Sequence, residues 1–531
     1  MSCRTLHLIC SLLILAIASG CGQATVDSVE AQTLNRGLNG EPESLSPHHF
    51  RSNQSASILR DIGEGLVRYD GVGRLVGGVA ESWNISDDGL IYVFELREEA
   101  RWSNGEPVVA GDFVLAIRDL VDPKVASTNA NNAGSIVNAA DVLTGEREST
   151  DLGVYADGPN RLTIRLQRQT PYFLQLLAHP SMFPIYKSNA SGFGSRKTRY
   201  VDVTNGAYNL VEWIVGSQLT LSRNSEYWAN EETVFDKVIY HVLQETAELT
   251  RYQAGDLDIT QNVPSTMFSM VKELFPKELR VAPYSGVYYY GFNLSNSLFA
   301  EKPVLRRALS IAIDRDVLVD KVTRRGEQAA YGWVPPGFEG YTSQSILESK
   351  MTKKAREELA VELYEESGYS QENPLRFELR YNTSDVQQRI ALAIQSMWQQ
   401  VLGVEVTIVN EEFRVLLSNI QAQEITELFR LSWTGDYNDP QTFLQVFESG
   451  SPSNLTGFSS EAYDALMGRA GNETDFSIRL NLLEEAESLM LSEHPAIPLY
   501  FYVSKHLIDT RIDGWEDNIL DIHPSQYLSV R

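Results

Sequence analysis

The stretch LFRLSWTGDYNDP, Leu428 to Pro440, sets a charge where an apolar strand ends. Leu428 to Trp433 has strand composition, Thr434-Gly435 turns the chain, and Asp436 follows at once. A carboxylate in such a place is costly to desolvate unless something compensates it. Within the chain, Asp436 could cap its own turn or pair with Arg430, the one cation in the run.

Outward from this stretch, strands alternate with helices. Leu375–Tyr381, Val404–Val409 and Leu428–Trp433 read as strands, and Ala355–Ser367 and Gln388–Leu402 as helices between or before them. Pro303 suits a first helical turn, with Val304, Leu305, Ala308, Leu309, Ala312 and Ile313 on one face. This alternation predicts an α/β lobe. The N-terminal third differs. It reads as short strands and turns, with the strand Ile91–Leu96, a helix Ala110–Leu120, and later a hairpin of Tyr208–Trp213 and Leu219–Arg223. At 531 residues the chain needs two or three domains.

A formal net charge of -25 argues against nucleic-acid partners, whose phosphates demand Lys and Arg. The N-terminus reads as a targeting segment, with Arg4, an apolar run Leu8–Ile17, and Ala18-Ser19-Gly20 before Cys21. It resembles a lipoprotein signal cut before a lipidated Cys21, although Ala18 stands where leucine is usual; a plain secretory signal is the alternative. Cys3, Cys10 and Cys21 are the only three cysteines, so the mature body holds no internal disulfide, cysteine-bound zinc or catalytic thiol. Residues 22–32 would then be a tether.

Several motifs together resemble the solute-binding proteins of peptide ABC importers, the oligopeptide-binding family. They are Ala80-Glu81-Ser82-Trp83, Arg101–Val108 with Asp112-Phe113, Asn205-Gly206-Ala207-Tyr208, Arg223-Asn224 with Tyr227-Trp228, and Tyr252–Asp258. Arg306–Leu309 with Ile313-Asp314-Arg315, Tyr381–Asp385 and the opening stretch complete the series. Each is weak alone, but the ordered set spans the chain from about Leu34 onward. The resemblance implies a two-lobed periplasmic-binding-protein fold with hinge strands and an extra N-terminal β-rich domain. Its divisions would be 33–53 with 185–284 and 504–531 for lobe I, 54–184 for the extra domain, and 285–503 for lobe II.

A peptide binder must take its affinity from what all peptides share: backbone, ammonium and carboxylate. By resemblance, Asp436 in Trp433-Thr434-Gly435-Asp436-Tyr437-Asn438 holds the ligand ammonium, with Trp433, Tyr437 and Asn438 around it. Arg430 matches an arginine that meets the far end of the peptide; a structural ion pair is the other reading. Tyr284 and Tyr289 match cleft positions, whereas Tyr288 and Tyr290 read as core. Glu41 and Glu43 match a loop flanking the cleft, and Asn262 a main-chain contact. Asp439-Pro440 reads as turn chemistry alone. Where relatives carry further basic groups for the carboxylate, this chain has Gln387 and Gln421, with Arg389 nearby, and a cysteine pair of some relatives is replaced by Gly286 and Thr434.

The resemblance implies an oligopeptide ligand, permease and ATPase partners, no cofactor, no metal and no enzymatic activity. It also implies a monomer at the periplasmic or cell surface, held by lipid on Cys21. The alternatives are a cell-wall peptide, nickel or haem as ligand, or a periplasmic hydrolase. His48-His49 is the only paired histidine for a metal, and no G-x-S-x-G, P-loop or H-E-x-x-H motif supports hydrolysis.

Overall fold

The computed structural model describes residues 32–187, 202–295, 298–425 and 427–531. The signal segment and Cys21 lie outside them, as does all but the last residue of the tether.

Three large hydrophobic cores organise the described residues, beside a smaller cluster of Leu249, Val263, Phe268, Val271 and Leu507. One gathers Leu34, Ile58, Tyr208, Leu221, Val238 and Ile259 with Ile512, Trp515 and Leu528, so it joins the two ends of the chain. Its sheet runs Thr33–Leu38, Lys237–Val242, Gln218–Arg223, Tyr208–Ile214, with the first pair parallel. The second core lies within Leu66–Tyr186 and is closed by Ile522. It packs a four-stranded sheet, Ala80–Ile85, Ile91–Leu96, Arg161–Arg165 and Val154–Ala156, against the amphipathic helix Ala110–Val121. Here Asp112 accepts from the Val109 N–H and the Trp102 indole, which starts the helix and anchors its entry loop.

The third and largest core spans Val287 to Ile519. Its six-stranded sheet is ordered Gln328–Ala329, Ala496–Leu507, Leu279–Phe292, Leu428–Thr434, Arg376–Asn382, Glu405–Glu411. The last three strands are parallel and are joined through helices such as Asp385–Leu402. This is the α/β alternation expected from sequence, with strand and helix ends moved by a few residues. The fold is the mixed α/β, two-lobed one with an added β-rich domain.

Two long strands, Leu279–Phe292 and Ala496–Leu507, cross from the first core to the third. They pair from Leu279↔Leu507 to Pro283↔Val503, lose register, and resume at Val287↔Phe501. A break of this kind lets paired strands bend, so the crossing is a hinge. The C-terminal tail lies alongside, since Ser285 donates its N–H to the Ile519 carbonyl at 2.8 Å.

Candidate functional site

Asp436 emerges where the strand Leu428–Thr434 ends beside this hinge. Gly435 donates to the Ser285 carbonyl at 2.9 Å, and a Cβ on it would meet Ser285 Oγ at 2.4 Å, so only glycine allows the approach. The Asp436 N–H donates to Thr442 Oγ1 at 3.0 Å. The Trp433 indole N–H donates to the Thr442 carbonyl at 2.8 Å, which locks the ring beside Asp436.

The Asp436 carboxylate itself receives no hydrogen bond and no cation among the described residues. The residue is exposed, yet enough protein surrounds it that burial, the sole cause, raises its pKa. It neither caps its turn through the side chain nor pairs with Arg430. The geometry leaves this acid without compensation from the described residues.

Arg430 is buried, with 7% of its surface exposed. Its guanidinium lies 4.5 Å from the Tyr288 ring centre and donates to Asn382 Oδ1 at 2.9 Å. A weak contact reaches Tyr502 Oη at 3.5 Å. No carboxylate pairs with it among the described residues, and its Nε lacks a partner. Burial works against its charge, but the surrounding Tyr288, Tyr502 and Tyr500 hydroxyls hold its pKa above the usual arginine value. The structural ion pair weighed from sequence is therefore not formed.

Tyr284 sits in the register break. Its hydroxyl bonds the Asn53 side chain across from the first lobe, and burial, then the Asp521 charge, raises its pKa. Sequence pattern did not single out Asn53, an exposed residue at a helix start. Tyr437 is stacked on Tyr172 of the β-rich domain, and Asn438 Nδ2 donates to the Gly73 carbonyl at 3.4 Å. Both face another domain rather than an open cleft.

At four residues the structure shows partners that the sequence pattern did not. Tyr289 is 3% exposed and packs edge-on against Trp333, because this half of its strand is covered on both faces of the sheet. Glu41 accepts from the Trp213 indole and the Gly216 N–H, both at 2.8 Å, and so fastens the hairpin Tyr208–Arg223. Glu43 braces the entry to the helix Asn53–Ile62, whose N-cap is Ser52: the Arg51 N–H and Ser52 N–H and Oγ point at it. Burial would raise its pKa, but these bonds lower it. Asp439 does more than turn chemistry, since the buried Arg479 grips both its oxygens at 2.7 Å. That pairing partner lies forty residues away on the helix Phe476–Glu493, out of reach of local pattern.

Asn262 is engaged locally, donating to Glu245 Oε1 at 3.2 Å and accepting from the Val263 N–H at 2.9 Å. Gln387, one of the neutral replacements, accepts from the Tyr288 hydroxyl at 2.5 Å, while Arg389 is exposed.

For a metal, His48 is buried and its pKa is pushed down to about 3 by that burial; His49 contacts Ser46 and the Val125 carbonyl. A second group, His506, Asp521 and His523, brings three ligand atoms within 4.8 Å. Arg36 and Arg60 line the same small cavity, so a divalent ion there would meet two existing cations. A cavity of about 780 Å³ between the β-rich domain and lobe II includes neither Asp436 nor Arg430 among its lining residues. No helix among the described residues is long and apolar enough to cross a membrane.

Two bodies joined by bending strands, with an unpaired carboxylate at the joint, define a binding protein of the two-lobed class. The chain belongs to the bacterial extracellular solute-binding proteins, family 5, whose middle-region model matches residues 74–454. It is 36% identical over 497 residues to the periplasmic oligopeptide-binding protein OppA of Salmonella typhimurium, covering 93% of this chain and 91% of that one. It is 35% identical over 517 residues to the periplasmic murein peptide-binding protein MppA of Escherichia coli, covering 96% and 95%. The unliganded open form of MppA superposes with a TM-score of 0.87 at 35% identity, covering 94% of this chain and 98% of that one. A second structure, of the Escherichia coli protein, gives 0.75 at 34% identity, covering 94% and 99%.

Proposed function

We propose that this protein captures oligopeptides outside the cytoplasm by closing its two lobes on them, and hands them to an ABC permease driven by its ATPase. The observation that carries the reading is the Asp436 carboxylate, partnerless beside the hinge and raised in pKa by burial alone. A peptide ammonium would complete it. Arg430, equally without an acid, is offered as the partner of the ligand carboxylate, with Trp433 as a wall between them. In this reading Tyr284 and Asn53 form the lobe I side of the cleft, and Tyr437 and Asn438 support the anchor from behind.

The separation of the TM-scores at nearly equal identity supports a lobe arrangement like that of the open form, ready to close. Capture then follows from contacts available only when the lobes meet. The reading assigns binding without turnover. Of Asp256 and Asp258, the acids of the Tyr252–Asp258 motif that could suggest hydrolysis, Asp258 is tied to Arg511 and the Asn35 N–H. We further place the protein as a monomer on a membrane through lipidated Cys21, without cofactor or metal.

A cell-wall peptide is the second reading, favoured by the match to a murein peptide binder along nearly the whole chain. Mass spectrometry of ligand co-purified with the protein separates the two. Calorimetry tests the anchor: a free-amine peptide should bind far more tightly than its N-acetylated form, and equal affinities would refute the role of Asp436. Cleavage of the peptide during incubation would overturn the assignment as a binder.

A further inference from the structure

We propose that Tyr172, on the β-rich domain, is a positioning residue for Asp436. This rests on the reading of Asp436 as the amine anchor, and it gives the extra domain a part in ligand recognition.

Asp436 is attached to the fold only through its backbone; its side chain has no bond that fixes its direction. Its placement therefore depends on the residues on either side. Upstream, Gly435 is fixed to Ser285 within lobe II. Downstream, Tyr437 lies flat on Tyr172, with ring centres 4.3 Å apart and planes within 4°. The Tyr437 hydroxyl also donates to Gln445 at 3.1 Å, and Asn438 reaches the Gly73 carbonyl of the same β-rich domain. The second fixed point of the anchor loop is thus shared between lobe II and a different domain.

Tyr172 is itself a rigid platform. Pro171 before it has its own φ fixed, and Phe173, next in chain, is fully buried in the β-rich core. Tyr172 packs face to face with Tyr437 and has no flexible stem, so its ring transmits position at little entropic cost. Removing the ring uncovers one face of Tyr437, loosens 437–438, and releases the Asp436 backbone on one side. The carboxylate then samples directions that miss the ammonium.

The experiment measures, by calorimetry, the ratio of affinities for a free-amine tripeptide and its N-acetylated form. For Tyr172→Ala and for Tyr172→Leu, which keeps apolar volume without a flat face, the free-amine affinity should fall about tenfold, the scale set by unfixing one or two loop residues. The acetylated peptide should bind unchanged, so the ratio narrows. Tyr172→Phe keeps the ring and should keep the ratio within about twofold. A purely structural residue would weaken both peptides together. If wild type discriminates and Asp436→Asn does not, yet Tyr172→Leu retains the wild-type ratio, the positioning role is wrong while the anchor stands. If wild type itself shows no discrimination, the anchor fails, and this inference with it.

Discussion

Arg479 grips both carboxylate oxygens of Asp439 at 2.7 Å inside lobe II, three residues beyond Asp436, whose own carboxylate holds nothing. Two acids in one short loop thus have opposite conditions. One is compensated by the fold and the other is not.

The compensated pair gives a stability prediction. Asp439 and Arg479 are 7% and 2% exposed, so Asp439→Asn or Arg479→Met leaves a buried charge without its partner. Each single change should cost about 3–5 kcal/mol, and the double change Asp439→Leu with Arg479→Met should recover much of it. Chemical denaturation checks both. In the same assay Asp436→Asn should leave the unfolding midpoint where it is, while costing about 2–5 kcal/mol in binding of free-amine peptides.

Affinity should depend on pH through Asp436. Its pKa is raised in the empty site, and an ammonium would lower it on binding, so the bound state favours the charged acid. Affinity is then greatest above the empty-site pKa and declines as pH falls through it, starting at a higher pH than an ordinary carboxylate near 3.9 would give. Titrating affinity against pH in wild type and Asp436→Asn isolates this slope, which the variant should lack.

Arg430 predicts a preference at the other end of the ligand. Replacing it with Gln should abolish discrimination between a free carboxylate and a C-terminal amide. Six residues of extended chain separate Arg430 from Asp436, at most about 20 Å. Peptides whose charged ends fit within that span should bind best in a length series. Retained discrimination in Arg430→Gln would place the carboxylate elsewhere.

His506, Asp521 and His523 predict a pH term in stability. His506 Nδ1 lies 3.0 Å from the Thr260 carbonyl and Nε2 2.7 Å from Asp521, so the doubly protonated ring satisfies both acceptors. Burial opposes that charge, but the Asp521 carboxylate outweighs it and raises the His506 pKa. Burial likewise pushes Asp521 up, and the His506 charge and bonds pull it well below the usual range. A raised histidine contributes stability below about pH 6.5 that is lost as pH rises through its folded pKa. A lowered aspartate contributes above about pH 3.9 and loses it as pH falls through its folded pKa. The advantage of wild type over His506→Gln should therefore peak between those limits and shrink toward pH 8 in thermal melts. An advantage that grows with pH would contradict the charged pair.

The lobe II alternation was legible because helix and strand periods differ and Gly403 and Pro303 punctuate them. The long strand Leu279–Phe292 was less so, since its apolar second half is buried on both faces and its break at Tyr284 leaves no compositional mark. Within the site, Asp436 stood out as a local contradiction of strand and charge. Glu41, Glu43 and Tyr289 could not be resolved the same way. Their partners, Trp213, Ser52 and Trp333, are set by chain folding and not by neighbouring residues. The Tyr172–Tyr437 stack joins residues 265 positions apart and is invisible to any window.

The first core is built from both ends of the chain, and this dictates the order of assembly. Asp61 accepts from Ser525 N–H and Oγ, and Arg36 donates to the His523 carbonyl and Ser525 Oγ. A chain emerging N-terminus first can build most of its β-rich domain early, with Ile522 closing it only at the end, and its opening strand stays without its final partners until the last ten or so residues appear. A truncation of the tail would thus leave the beginning of the protein, not its end, as the segment exposed to proteases.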